Sequence, residues 1–240
     1  MLETLGSRTS STLSLNFLAG ISEDAVPSRP TTTPESEIKI AVDGLDVPLK
    51  LSVDAGPGCG GITWPSGEVL TKYMSWRHST DPDYLKNRTV LELGSGTGLV
   101  GLAVGLLQPS AKVYITDQKV LLDLMQRNVD LNFHQEVSSE ADNGTSVCPV
   151  QVAELDWGGE LPPGVPHEPD LILAADCVYF EVNGLTCLVI SLQAYADADA
   201  RFFKMLAKHF SSTQVDDDRP GEKEKYEREG VKLLRLVRTK

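Results

Sequence analysis

Short apolar runs alternate with helically spaced apolar positions through the middle of the chain. Four runs have the length and composition of buried strands and lie at residues 89–93, 112–116, 148–155 and 170–175. Two intervening stretches, 99–107 and 120–131, place apolar residues at the three- and four-residue spacing of helices. The alternation predicts an α/β fold, with a parallel sheet joined by right-handed crossovers.

The first part of the chain differs from this pattern. Residues 1–37 are rich in Ser, Thr and Pro and show no sustained period, so we expect a flexible N-terminal arm. Residues 38–240 then form the predicted domain. Apolar and polar residues alternate on both sides of Gly44, which predicts a hairpin, and helical spacing follows at 68–76.

The chain after the fourth predicted strand is short. A parallel connection normally takes a dozen or more residues, and the stretch between Tyr179 and Arg201 is too short for both a crossover helix and a fifth strand. Residues 186–192 fit either element, so we expect one of the two to be missing. Farther along, the pattern predicts a helix at 200–210, a short strand at 213–215 and a last strand at 231–237.

The clearest local signal is Val-Leu-Glu-Leu-Gly-Ser-Gly-Thr-Gly at 90–98. Glycines directly after a strand allow a tight turn and bring the backbone close to a ligand at the carboxyl edge of the sheet. A turn without a ligand is the alternative. Gly96, Gly98 and Gly101 also satisfy G-x-G-x-x-G, so a nicotinamide dehydrogenase stays open. Asp117, at the end of the next strand, suits ribose hydroxyls in either enzyme, or it caps the following helix.

Charge and cysteine content narrow the function classes. A net charge of −12 argues against a nucleic-acid surface and suits a basic acceptor. The four cysteines and four histidines form no metal-ligand spacing, so we expect no metal. No apolar stretch approaches the roughly 20 residues of a membrane helix. Reduced thiols fit the cytosol, and we expect a cytoplasmic protein that binds no membrane.

Five motifs in order give the chain a family resemblance. They are Trp-Pro-Ser-Gly at 64–67, the run at 92–101, Ile-Thr-Asp-Gln-Lys at 115–119, Leu-Asp-Trp at 155–157 and Leu-Ile-Leu-Ala-Ala-Asp-Cys-Val-Tyr at 171–179. Together they resemble the family-16 protein methyltransferases, seven-strand enzymes with a Rossmann-like sheet that modify lysines. The chain looks most like the fungal enzymes that act on translation elongation factor 1-alpha, and among them the sixth named member.

The resemblance implies S-adenosylmethionine (AdoMet) as cofactor and a set of residues around it. Asp117 would hold the ribose hydroxyls, Trp157 would lie beside the adenine, and Trp64 would close the methionine end. Ala175 would leave room for the cofactor. The turn residues that would line the amino-acid and ribose portion are Gly94, Ser95 and Gly96. Core anchoring for Trp64 and a loop position for Trp157 are the alternatives.

The acceptor chemistry falls on Asp176 and Tyr179 in this interpretation. Asp176 would orient a lysine amine, and Tyr179 would present its ring or hydroxyl to the methylated product. A loop-capping role is the alternative for Asp176. The resemblance implies a protein substrate, elongation factor 1-alpha. We also expect a monomer, and the acidic composition argues against binding of nucleic acid. A small-molecule methyltransferase, a nicotinamide oxidoreductase and a non-catalytic binding protein stay open as alternatives.

Overall fold

A computed structural model describes residues 35–56, 59–133, 148–156, 160–177, 187–193, 204, 206–228 and 230–239. The elements in chain order are β1 (Glu35–Ile40), β2 (Leu49–Asp54), a 3₁₀ helix (Cys59–Gly61), α1 (Pro65–Thr80), β3 (Thr89–Leu93), α2 (Leu99–Leu107), β4 (Lys112–Asp117), a 3₁₀ helix (Lys119–Leu121), α3 (Leu122–Phe133), β5 (Val150–Glu154), β6 (Leu171–Ala175), β7 (Cys187–Gln193), β8 (Phe210–Gln214), α4 (Glu222–Arg228) and β9 (Val231–Arg238). No described helix is both long and apolar enough to cross a membrane.

Seven strands form one sheet in the order β5-β4-β3-β6-β7-β9-β8. The first five are parallel, and β9 runs antiparallel to both of its neighbours. The predicted α/β class and parallel sheet are confirmed. The chain moves outward from β3 to β4 and β5 and then returns to β6 on the other side. This reversal opens a crevice at the carboxyl ends of β3 and β6, where ligands bind in such sheets.

Of the two elements expected after β6, one of which was predicted to be missing, the strand is present: β7 pairs with both β6 and β9 and completes the sheet. Residues 176–186 separate β6 from β7. An extended chain reaches about 3.3 Å per residue, so eleven residues can return to the amino edge of a five-residue strand. The expected helix would lie among residues 178–186 or 194–203, outside the described residues.

The last third of the chain departs from its predicted pattern at one point. The expected helix at 200–210 is too long, since residues 207–209 form a turn and Phe210 begins β8. Phe210 pairs with Arg238 in the sheet, and this long-range pairing overrides the local helical spacing. The rest of the predicted 200–210 stretch is described only at Lys204 and Leu206, which are helical.

Apolar side chains cover both faces of the sheet. Along β3, Val90 packs into the core that also holds α1, α2 and the β1–β2 hairpin. Leu91 and Leu93 point to the opposite face and a second, smaller core. The hairpin is confirmed as an antiparallel pair, and β1 already begins at Glu35. Burial on both faces explains why β3 and β6 are apolar in sequence, with the exceptions of Thr89 at the start of β3 and Glu92.

Candidate active site

The glycine turn between β3 and α2 needs glycine for its backbone. Gly94, Gly96 and Gly98 have φ values of 60°, 56° and 81°, in the left-handed region that other residues rarely adopt. At Gly96 a Cβ atom would lie 2.6 Å from the carbonyl oxygen of Gly60. Both the conformation and the close approach exclude a side chain there, as the motif predicts.

Asp117 is tied directly to this turn. It is the last residue of β4, is 9% exposed, and accepts a hydrogen bond from the Gly96 N–H at 2.8 Å. Its other carboxylate oxygen accepts from the Gln118 N–H at 2.7 Å. Burial raises the pKa of Asp117, and the two N–H bonds oppose that rise. A carboxylate offers about four acceptor positions, so Asp117 can still accept from a ligand's hydroxyls.

The alternative role of Asp117, as a cap of the following helix, does not apply. The 3₁₀ helix that follows has Gln118 at its N-cap position, and no side chain caps it. The Asp117 carboxylate thus holds the glycine turn and its own neighbouring peptide, and does not cap a long helix.

Trp64 lies at the start of α1 and is linked to the same turn through a short loop. It is the N-cap residue of α1, and its indole N–H donates to the carbonyl of Cys59 at 2.8 Å. The neighbouring Gly60 carbonyl is the group in close approach to Gly96. Trp64 is half-buried and lies outside the two apolar cores, which argues against the core-anchor alternative.

The carboxyl end of β6 supplies the other side of the crevice. Leu93 pairs with Ala174, so Ala175 and Asp176 lie at the same sheet edge as the glycine turn. Asp176 has a φ of 57°, in the left-handed region although it is not glycine. Such a conformation costs free energy, and surrounding structure must hold it in place. Asp117 is the last residue of β4 and Asp176 follows β6, and these two strands flank β3.

Glu92 is a site residue to which the sequence analysis gives no role. Its side chain is buried within β3, and one carboxylate oxygen accepts from the Gly101 N–H at 2.8 Å. Burial raises the pKa of Glu92 to about 8, and the negative charge of Asp117 adds to the rise. The signal was available in the sequence, as a carboxylate in an otherwise apolar strand two residues before the first glycine.

Cys177 follows β6 and lies close to three carboxyl groups. Burial raises the pKa of this thiol, and the charges of Glu92, Asp176 and Asp117 raise it further. These three carboxylates therefore act on one point at the ends of β3, β4 and β6. Glu92 keeps its proton up to about pH 8, so the charges at this sheet edge are those of Asp117 and Asp176, which favour a ligand with a cationic group.

Two predicted site residues cannot be located. Trp157 and Tyr179 lie outside the described residues, so the adenine and product contacts expected of them stay predictions. The remaining predicted site residues lie within the described part of the chain. Among them, hydrogen bonds and close backbone contact bring Trp64, Asp117 and the glycine turn together. The described residues include no cluster of three potential metal ligands.

The chain is similar to known lysine methyltransferases along most of its length. Residues 45–216 match the family described as lysine methyltransferase. The protein-lysine N-methyltransferase EFM6 of Saccharomyces cerevisiae is 36% identical over 79% of this chain and 86% of its own length. The protein N-lysine methyltransferase METTL21A of Mus musculus is 31% identical over 67% of this chain and 73% of its own.

The chain is also similar to solved methyltransferases, at low sequence identity. The magnesium protoporphyrin IX methyltransferase of Synechocystis with bound SAM has a TM-score of 0.46 and 15% identity, over 72% of this chain and 79% of that one. A putative SAM-dependent methyltransferase of Streptococcus mutans has a TM-score of 0.48 and 14% identity, over 87% of this chain and 56% of that one.

The nicotinamide alternative is wrong, because the family match covers the glycine turn and both neighbouring strand ends. The resemblance in the five motifs is confirmed by relatives named as protein-lysine methyltransferases. The bare turn and the acidic residue on β4 fit AdoMet, whose ribose carries two hydroxyls and whose sulfonium and ammonium groups are cationic. The chain belongs to the lysine methyltransferase family and is an AdoMet-dependent protein-lysine N-methyltransferase.

Proposed function

We propose that this enzyme methylates a lysine of translation elongation factor 1-alpha. The five motifs resemble the fungal enzymes with that substrate, and EFM6 is similar over most of both chains. The observation that carries the proposal is the pair of carboxylates, Asp117 and Asp176, at the two strand ends flanking the glycine turn. One serves the cofactor and the other serves the amine.

The cofactor half of the proposal rests on the β4 side of the crevice. Asp117 already orders the turn through Gly96 and keeps acceptor capacity for the ribose hydroxyls. Trp64 closes the methionine end, because its indole is fixed to the loop in contact with Gly96. Trp157 is assigned to the adenine by resemblance alone. The remaining cofactor-binding assignments are Gly94, Ser95 and Ala175.

The acceptor half rests on Asp176. AdoMet supplies an electrophilic methyl group on a sulfonium, so the protein's main task is alignment. A lysine amine has an ordinary pKa of about 10.4 and must lose a proton before it attacks. Removal from water lowers the pKa of an amine. Asp176 then holds the neutral amine by accepting one of its N–H bonds and leaves its lone pair free. Tyr179 is assigned to the methylated product by resemblance.

A methylation assay tests the substrate. Purified elongation factor 1-alpha from cells that lack the endogenous enzyme is incubated with the protein and radiolabelled AdoMet, and the labelled lysine is located by mass spectrometry. We expect one labelled site. Asp176→Asn is the matched control, since asparagine keeps the shape and tolerates left-handed backbone while removing the charge. No label on the factor, with normal cofactor binding and label on another protein, would refute the proposed substrate.

We further propose a cytoplasmic monomer whose methyltransferase domain begins at β1, so that the boundary predicted at residue 38 moves to Glu35 and the arm comprises residues 1–34. Light scattering at two protein concentrations tests the monomer, and fractionation of cells tests the compartment. Removal of residues 1–34, which precede β1, tests the arm. We expect unchanged binding of S-adenosylhomocysteine after this truncation. A tenfold loss would mean that the arm belongs to the cofactor site.

A further inference from the structure

An asparagine on α3 connects the hairpin to the glycine turn. Asn128 is fully buried, and its amide makes three hydrogen bonds to backbone groups. The side-chain oxygen accepts from the Ser52 N–H at 2.6 Å. The side-chain nitrogen donates to the Ser52 carbonyl at 3.0 Å and to the Thr97 carbonyl at 2.9 Å. Ser52 belongs to β2, and Thr97 lies within the glycine turn.

A second asparagine makes the same contact with β2 one helical turn later. Asn132 accepts from the Lys50 N–H at 3.0 Å and donates to the Lys50 carbonyl at 2.7 Å. The two amides thus satisfy the edge of β2 that faces away from β1, at alternate residues of the strand. Positions four apart on a helix lie on one face, so both asparagines meet the strand together.

The two asparagines differ at one bond. The other donor bond of Asn132 goes to the carbonyl of Asn128, within α3, whereas that of Asn128 goes to Thr97. Asn128 therefore contacts the glycine turn as well as the hairpin. Asn132 contacts the hairpin in the same way but not the turn, so it is a matched control for Asn128.

The turn needs such a contact because three of its residues have no side chain to anchor it. Its first half is held to β4, where the Ser95 N–H donates to Thr116 and the Gly96 N–H donates to Asp117. The peptide between Thr97 and Gly98 precedes a glycine with a φ of 81°. The N–H of this peptide donates to the Ser95 carbonyl within the turn at 2.7 Å, and its carbonyl accepts from Asn128, so the bond from Asn128 is the one that ties the peptide to the rest of the fold.

We propose that Asn128 is a positioning residue for AdoMet, which holds the second half of the glycine turn in its binding conformation. The inference rests on the proposed role of that turn in binding the cofactor. It also gives the hairpin a function, because β2 fixes the amide that fixes the turn. The Asn128 amide uses its oxygen as an acceptor and its nitrogen as a donor of two bonds. No other side chain of similar size offers both, so none can replace the amide.

Binding of S-adenosylhomocysteine by calorimetry tests the inference, at a temperature where circular dichroism shows each variant folded. Asn128→Ala is compared with Asn132→Ala and the wild type. Both variants lose hairpin bonds and unfold at lower denaturant concentration. We expect Asn128→Ala to weaken binding about tenfold, the effect of one lost buried bond at the turn, and Asn132→Ala to stay within twofold.

Steady-state kinetics gives a second readout. The KM for AdoMet should rise in Asn128→Ala while kcat at saturating cofactor stays within twofold, because the turn is misplaced only until the cofactor orders it. If Asn128→Ala does not fold, Asn128→Asp replaces it. Aspartate keeps the acceptor for Ser52 but has no donor for Thr97, so it should also weaken binding.

Three outcomes overturn the inference. Wild-type affinity in a folded Asn128 variant means that the turn needs no such bond. Equal weakening by Asn132→Ala means that hairpin docking alone matters. A fall in kcat without a change in affinity assigns Asn128 elsewhere. If the wild type itself fails to bind S-adenosylhomocysteine, the proposed role of the turn fails, and that result is distinct from the other three.

Discussion

The two sides of the glycine turn are built in opposite ways. On the β4 side, Asp117 stays within the strand, and both of its carboxylate oxygens accept backbone N–H bonds. On the β6 side, Asp176 lies just beyond the strand and takes a left-handed backbone that glycine would adopt more easily. Asp117 has the ordinary conformation of a strand residue, and Asp176 is held in a conformation that glycine adopts more easily.

The difference separates two tasks. A cofactor that binds in the same way in every catalytic cycle needs a rigid site whose polar groups are already hydrogen-bonded. Strained backbone at functional positions persists where the reaction needs a side chain in an otherwise unfavourable place. We therefore expect changes on the β4 side to alter cofactor affinity. Changes on the β6 side should alter turnover, with little effect on affinity and some gain in stability.

The largest effect should come from Asp176→Ala. Misplacement of a reacting group by about 1 Å can lower a rate roughly 10²-fold, and we expect kcat to fall by at least about that factor. Affinity for S-adenosylhomocysteine should stay within twofold, as measured by calorimetry. Full methylation by this variant would break the assignment of the β6 side to the acceptor.

The next effect should come from Asp117→Ala. The variant leaves the Gly96 N–H without its acceptor and removes the charge-assisted bonds proposed for the ribose, so affinity for S-adenosylhomocysteine should fall roughly 10- to 100-fold. Asp123→Ala is the control, because it removes an exposed charge on nearby α3. Equal losses in both variants would point to general charge and not to contact with the turn.

Glu92 lies on β3, between the two sides, and its raised pKa should make the stability of the protein depend on pH. Its pKa is about 8 in the folded protein and about 4.5 ordinarily, so between these values the folded state keeps a proton that the unfolded chain has lost. The free energy of unfolding should therefore fall as pH rises through this window, by roughly 2–3 kcal/mol from pH 6 to 8.5. Denaturant titrations at the two pH values measure it.

Glu92→Gln isolates this contribution. Glutamine keeps an acceptor for Gly101 and has no proton to lose, so the variant should show a smaller fall between the same pH values. Other titrating groups are common to both proteins and cancel in the difference. Identical pH dependence in the two proteins would show that Glu92 ionises with an ordinary pKa.

The smallest effect should be the difference in stability between Asp176→Gly and Asp176→Ala. Both lack the carboxylate and should be inactive, but only alanine keeps a Cβ atom in the left-handed conformation. The glycine variant should be more stable by about 1 kcal/mol, which corresponds to a Tm roughly 2–4 °C higher in a chain of this size. Calorimetric melting measures the difference. Equal Tm values would mean that Asp176 is not strained.

Local pattern alone predicted the centre of the molecule. The bounds of β3 and α2 agree with the sequence prediction to the residue, because a buried strand and a helix joined by glycines are specified by neighbouring residues. Asp117 and the turn followed from the same reasoning, since parallel strands end at one edge of a sheet. The family resemblance then supplied the cofactor and the class of reaction.

Only the tertiary structure decided the features that depend on distant partners. Residues 187–193 form a strand because β6 and β9 pair with both sides, and Phe210 begins β8 because β9 extends to meet it. The left-handed backbone of Asp176 and the bonds of Asn128 leave no periodic trace along the chain. The sequence by itself determined which groups end the strands, and the fold determined how each one is held, because hydrogen-bond partners and strain arise from residues far apart in the chain.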